Sequence, residues 1–209
     1  LRIHGYLMEG EADFIHRNKI YEEFLAKSEN PKHQLTDIAL IRRWDFDKVE
    51  SNQSKTPEGR FKLISREYEV LEAIKIADEE LYSDCLIHKK APNPLETTSK
   101  YFEIFSILPN NKRFNAFIEQ HAKHLSESER LGLVEILLSK FARLHKANIA
   151  HRDLGNHSIW ISAGQKITLS GFISAYFPRE GTVGNIRDLL SETTDHSAID
   201  NYFPIEKPT

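Results

Sequence analysis

One cysteine, Cys85, stands in 209 residues, so no disulfide can close within the chain, and a reducing, cytoplasmic setting is the simpler expectation. No apolar run approaches the ~20 residues that cross a bilayer, which removes any expectation of a membrane span. Neither sign of charge dominates: 28 basic residues face 31 acidic ones, for a formal net charge of -3. That balance gives no reason to expect nucleic acid or an acidic membrane as a partner. The ten histidines are scattered rather than clustered, which excludes a metal-binding tract. No internal repeat or low-complexity segment is visible. The opening "LRIHGYLMEG" has no apolar core of signal-peptide type and starts with Leu1. The expectation is a piece of a longer protein, with the rest of that polypeptide, and other protein subunits, as its partners.

What is present is ordinary for a folded protein. Hydrophobic residues make up 40% and charged residues 28%, enough apolar material for one domain or two small lobes. The first half reads mainly as strands. "ADFIHRN" and "KIYEEFLAKS" can pair, "ENPKHQ" supplies turn residues, and "LTDIALIRRWDF" follows. A polar loop leads to a helix at "RFKLISREYEVLEAIKIA", where Leu63, Ile64, Val70, Leu71 and Ile74 form a buried stripe. Two further strands, "DCLIHKK" and "SKYFEIFSIL", flank the breaker run "APNPLETTS". Five strands and one helix make a small antiparallel sheet with a helix laid across it.

The second half opens with a helix. Ser126 and Glu129 have the spacing of a capping box, in which each side chain satisfies the other's free backbone N–H. Leu131, Val134, Leu138, Phe141 and His145 then recur at helical intervals, which predicts a core-facing stripe over about 20 residues. His145 is expected to be a packed, hydrogen-bonded core histidine. A tight loop, "NIAHRDLGNH", and two short strands, "SIWIS" and "KITLS", complete the patterned part. From Phe177 onward the chain reads as loop.

This order, and the run "LHKANIAHRDL", resembles the eukaryotic-type protein kinase superfamily, whose catalytic loop is entered through Leu-His-x-x-x-Ile-x-His-Arg-Asp-Leu. The resemblance covers roughly Ala12 to Gly184. It implies an α+β, kinase-like fold: an N-terminal lobe over residues 1–108, ending in the hinge, and an incomplete helical lobe over 109–209. It places Glu67 at the helix glutamate that pairs with a strand lysine and Leu71 behind a nucleotide pocket. Phe105 falls at the residue guarding that pocket, and Ser106, Ile107 and Leu108 at the adenine-binding hinge. It implies ATP as the ligand. "HRDLGNHSIWI" followed by "LSGF" is also similar to kinase-like modules of large bacterial phage-defence proteins that carry a nuclease-related domain.

Phosphoryl transfer depends on positioning and on neutralising phosphate charge, and five parts supply both in this family. The catalytic aspartate is present as Asp153, with His151 and Arg152 bracing its loop. The asparagine that binds the second Mg2+ is replaced by Ser158, a poorer and shorter ligand, although Asn156 and His157 lie close in sequence. Gly171 stands where the family has its main magnesium-binding aspartate, ahead of Phe172. The strand lysine is missing: one alignment of "IALIRRW" puts Ile41 there and a shift of one puts Arg42, and side chains alternate, so only one of Arg42 and Arg43 can serve. Gly5 and Gly10 lack the spacing of a phosphate-covering loop.

Each missing electrostatic stabiliser costs about 10²–10³ in rate. The expectation is therefore a pseudokinase or nucleotide-sensing regulatory module. The alternative is an atypical active serine/threonine kinase with Asp153 as base and metal ligands drawn from Asp188, Asp195 or Asp200. A metal nuclease built on His145, His151, Asp153 and His157 explains fewer residues. Thr182 occupies the position of an activation-segment phosphosite.

Overall fold

"YEEFLAKS" and "IALIRRWD" are short, partly apolar runs that each carry two adjacent charged residues, Glu22–Glu23 and Arg42–Arg43, and in a strand adjacent side chains point to opposite faces. In the computed structural model these become β4, Tyr21–Ser28, and β5, Ile38–Asp45, paired antiparallel over seven residues from Tyr21↔Trp44 to Lys27↔Ile38. The structure describes residues 1–8, 14–17, 21–29, 38–48, 55–96, 98–108, 110–121, 123–162 and 164–178. Their architecture is mixed α+β, with an antiparallel sheet and few helices. No helix among them is long and apolar enough to cross a membrane.

The backbone falls into two compact units. Unit 1 comprises the described residues of Leu1–Tyr68 and Ile87–Pro109. Its sheet has seven strands rather than five, in the order β1-β2-β4-β5-β7-β6 with β3 also on β4. The additional strands are β1 (Arg2–Ile3) and β2 (Tyr6–Leu7), joined where His4 and Gly5 both take positive φ, the geometry of a two-residue hairpin turn. The remaining strands are β3 (Phe14–Arg17), β6 (Ile87–His88) and β7 (Lys100–Ser106). One sheet face buries Ile3, Met8, Phe24, Ala26 and Ile41 as an apolar cluster. The opposite face carries Arg42 and Trp44 of β5, both buried.

A single helix, α1 (Pro57–Ala77), contributes to both units. Its predicted stripe is buried throughout: Leu63 and Ile64 in unit 1, and Val70, Leu71 and Ile74 in the core of unit 2. Unit 2 comprises the described residues of Glu69–Leu86 and Asn110–Gly184. It holds α2 (Glu79–Ser83), β8 (Lys112–Arg113), α3 (Phe114–His121), α4 (Glu127–Lys146), β9 (Ile159–Ile161) and β10 (Ile167–Leu169). The expected helix start is present, with both halves of the Ser126–Glu129 capping box formed.

The buried face of α4 is not the predicted one. Leu131, Val134 and Leu138 are 62%, 53% and 64% exposed, and His145 is exposed rather than packed. Leu133, Lys140 and Leu144 are buried instead, with Leu137 and Phe141 packed beside them. "LGLVEILL" puts leucines on two interleaved helical stripes, so periodicity alone admits either face. The chosen face includes a lysine because Lys140 forms an ion pair with Asp84, which also meets Lys166 at 3.0 Å. Burial works to raise the Asp84 pKa, but Lys140 and Lys166 outweigh it and hold the carboxyl below its usual range.

Candidate functional site

In unit 1, register determines what Arg42 can touch. Its cross-strand neighbours are Glu23 on β4 and Glu103 on β7, so the three residues form one row across the sheet. Arg42 Nε donates to Glu23 Oε1 at 2.9 Å, while Nη1 donates to Glu67 Oε2 from α1 and reaches Glu103 Oε2 at 3.3 Å. The guanidinium lies over the rings of Tyr21 and Phe105, at 4.5 and 4.8 Å from their centroids. Arg43 points to the other face, over Phe24, and pairs with Glu22. Of the two arginines, Arg42 is the one that meets Glu67; Ile41 lies in the apolar cluster on the far face.

The row is closed to solvent. Arg42 is 1% exposed, Glu67 0%, and Glu23 and Glu103 3% each. Glu103 also accepts from Trp44 Nε1, and its second oxygen meets His88 Nε2 at 2.9 Å. Three carboxylates therefore surround one guanidinium. Burial works to lower the Arg42 pKa, but the charges of Glu67, Glu23 and Glu103 outweigh it and hold the side chain protonated, well above its usual range. The negative surplus extends to Tyr101, whose hydroxyl is pushed up to about 12 by burial and then by the charge of Glu103. Phe105 is buried and packs its ring against His88 at 4.3 Å. Ser106 ends β7, Ile107 is buried, and Leu108 is 48% exposed.

In unit 2 the loop after α4 is held at several points. Asn148 takes a left-handed φ of 59° just beyond the helix, and Ile149 N bonds back to Leu144 O at 2.9 Å. Ala150 then forms a reciprocal backbone pair with Tyr176, at 3.0 and 2.8 Å. His151 is fully buried: Nε2 meets Ser170 O at 2.8 Å, Nδ1 accepts from Asp153 N at 3.3 Å, and the ring packs on Phe172 at 4.6 Å. Arg152 adopts φ 64°, turning the chain so that Asp153 follows. Asp153 Oδ2 lies 3.2 Å from His157 Nε2, with the two side chains 16% and 17% exposed.

The residues at the expected metal positions do not suit magnesium. Ser158 is fully buried, and its hydroxyl accepts from Gly155 N at 2.9 Å and donates to Gly155 O at 3.0 Å, so it clamps its own turn. Gly171 brings no oxygen from its side chain, and its φ of 80° favours glycine there. Among the described residues no group of three or more His, Cys, Asp or Glu side chains is placed to hold a metal ion. Gly10, Thr182, Asp188, Asp195 and Asp200 lie outside the described residues.

Sequence reasoning missed Glu23 and Glu103 as partners of Arg42, and His88 and Trp44 as partners of Glu103. The available signal was a charged residue centred in an otherwise apolar strand, as in "KYFEIF".

No family model matches the chain. It is 26% identical over 121 residues to serine/threonine-protein kinase 33 of Bos taurus, covering 58% of this chain and 22% of that protein. It is 34% identical over 77 residues to the phosphorylase b kinase gamma catalytic chain, liver/testis isoform, of Bos taurus, covering 37% of this chain and 18% of that protein. The chain thus spans less than a quarter of either relative. These partial similarities support a protein kinase-like domain.

Proposed function

We propose that this chain is a kinase-like nucleotide-sensing module within a larger polypeptide, in which magnesium-dependent phosphotransfer has been dismantled. The observation that carries the reading is the enclosure of Arg42. A cation that is to hold nucleotide phosphates must present donors to them, whereas this guanidinium gives its hydrogen bonds to Glu23, Glu67 and Glu103. Drawing it out would leave three carboxylates buried without their counter-ion, at several kcal/mol. The glycine at 171 and the self-clamped Ser158 support the same reading from unit 2. ATP is the proposed ligand, the hinge residues Ser106, Ile107 and Leu108 its adenine contacts, and Mg2+ no part of the site. The single cysteine fits a cytoplasmic protein, and the likeness of "HRDLGNHSIWI" to phage-defence modules makes that process the first to test.

Calorimetric titration with ATP, once with magnesium and once with chelator, tests the proposal. Weak binding that is indifferent to magnesium is expected, and Arg42→Lys leaves it unchanged when the fold survives. Tight, magnesium-requiring binding with transfer to a protein hydroxyl would replace this reading with that of an active serine/threonine kinase. One observation favours that second reading: Asp153 is kept, partly exposed and paired with a histidine.

A further inference from the structure

Helix α4 is apolar on two faces, and only one of them is used by the core of unit 2. Leu133, Leu137 and Leu144 pack into that core, with Phe141 beside them. Leu131, Val134 and Leu138 project the other way and are each more than half exposed. At ~100° per residue, these three fall with the exposed Ala142 and His145 inside an arc of about 100°. The spacing of three and then four residues from Leu131 to Leu138 is that of a seam along which two helices pair. A continuous apolar line on a helix differs from the single leucines scattered over an ordinary protein surface.

The charges along α4 indicate what fits this face. Its first turn carries Glu127 and Glu129, and its last turn Arg143, His145 and Lys146. Glu129 is engaged in the capping box, and Arg143 with Asp78 and Glu80. That leaves Glu127 at one end and His145 and Lys146 at the other, all exposed and in no ion pair among the described residues. Acid at one end, base at the other and an apolar line between them make a surface that complements itself when turned end for end. A two-fold interface has that requirement, because the same patch serves both copies. Parallel pairing would instead set like charges and like helix ends side by side.

We propose that two copies of this chain associate through α4, packed antiparallel about a two-fold axis. In this arrangement Val134 of each copy lies against Leu138 of the other, and Leu131 lies beside Ala142 of the second copy. Glu127 reaches the last turn of the second copy, where His145 and Lys146 stand. Glu135 stays at the rim of the seam, where water screens its charge. The two helix dipoles run in opposite directions, which favours the pairing further. The seam from Leu131 to Ala142 is about 17 Å long, short for a specific interface, so reversible association at micromolar concentrations is expected. The inference is independent of the nucleotide-sensing reading.

The test is sedimentation velocity of the whole chain across the micromolar range. A monomer–dimer equilibrium is expected, weakened at least about a hundredfold by Leu138→Glu at the centre of the seam. Because Leu138 is exposed, that variant should keep the parent's circular dichroism and its thermal midpoint at low concentration. Glu127→Lys and Lys146→Glu should each weaken association several-fold, and the two together should restore it, a result that general stickiness does not give. The charge variants also keep the proposal testable if Leu138→Glu fails to fold. A monomer at every concentration would overturn the proposal and leave the face to some other partner. A dimer that survives Leu138→Glu would overturn it in favour of another surface. A double charge variant no tighter than the single ones would overturn the antiparallel pairing.

Discussion

The Arg42 row of unit 1 and the Asp153–His157 pair of unit 2 hold their charges in different ways. In unit 1, Arg42, Glu23, Glu67 and Glu103 are sealed from water, and Trp44 and His88 take up further carboxylate oxygen. In unit 2, Asp153 and His157 lie 3.2 Å apart with side chains 16% and 17% exposed, so solvent still reaches them. A closed network of several charges is rigid and costly to disturb, because each member removed leaves others desolvated and uncompensated. A partly exposed pair is cheaper to disturb, because water can take over the charge that a lost partner leaves. The contrast separates structural charge from charge available for chemistry.

The widest separation is expected between neighbouring arginines. Arg42→Met should lower stability by about 3–5 kcal/mol, since it strands three buried carboxylates. Arg43→Ala, at a side chain 36% exposed and paired with Glu22, should cost no more than about 1 kcal/mol. Urea denaturation of both variants measures the difference, and equal losses would break the account of a sealed row. A similar comparison runs along α4. Leu144→Ala should cost about 2–5 kcal/mol and Leu138→Ala about 0.5 kcal/mol or less, because only the first is buried. If Leu138 proves as costly, the assignment of the buried face is wrong.

Smaller effects sharpen the picture of unit 2. Ser126→Ala removes the acceptor for Glu129 N and should cost about 1 kcal/mol, read as a shift in thermal midpoint. The smallest effect concerns acid. The hydrogen bond from Arg143 holds the Asp78 carboxyl below its usual range, against a modest upward pull from burial. A lowered folded-state pKa stabilises above the unfolded value, and that contribution is lost as pH falls through the folded one. Asp78→Asn should therefore lower stability at pH 7 by no more than about 1 kcal/mol, and the gap between variant and parent should close below about pH 4. A gap that persists at pH 2 would mean that the asparagine disturbs packing rather than charge.

Much of the fold was legible locally. The capping box at Ser126, the buried stripe of α1 and the strands of β4, β5 and β7 follow from spacing that the backbone reads within a few residues. The hairpin of β1 and β2 was not read, although a His-Gly pair between short apolar segments is a turn signal. The candidate site was legible at Asp153, His151 and Glu67 only through the kinase resemblance. The partners that give Arg42 its character, Glu23 and Glu103, are 19 and 61 residues away along the chain, beyond the reach of any local pattern.

By itself the sequence determined where the helix after Ser126 begins and which segments extend as β4, β5 and β7, because these depend on residue type and short-range spacing. The missing ligand-bearing residues were legible only against the kinase pattern it resembles. Tertiary structure alone decided which face of α4 is buried and which of two adjacent arginines meets Glu67. Those outcomes depend on which surfaces come into contact, since a side chain's burial and its counter-ions are set by neighbours that the chain brings in from far away.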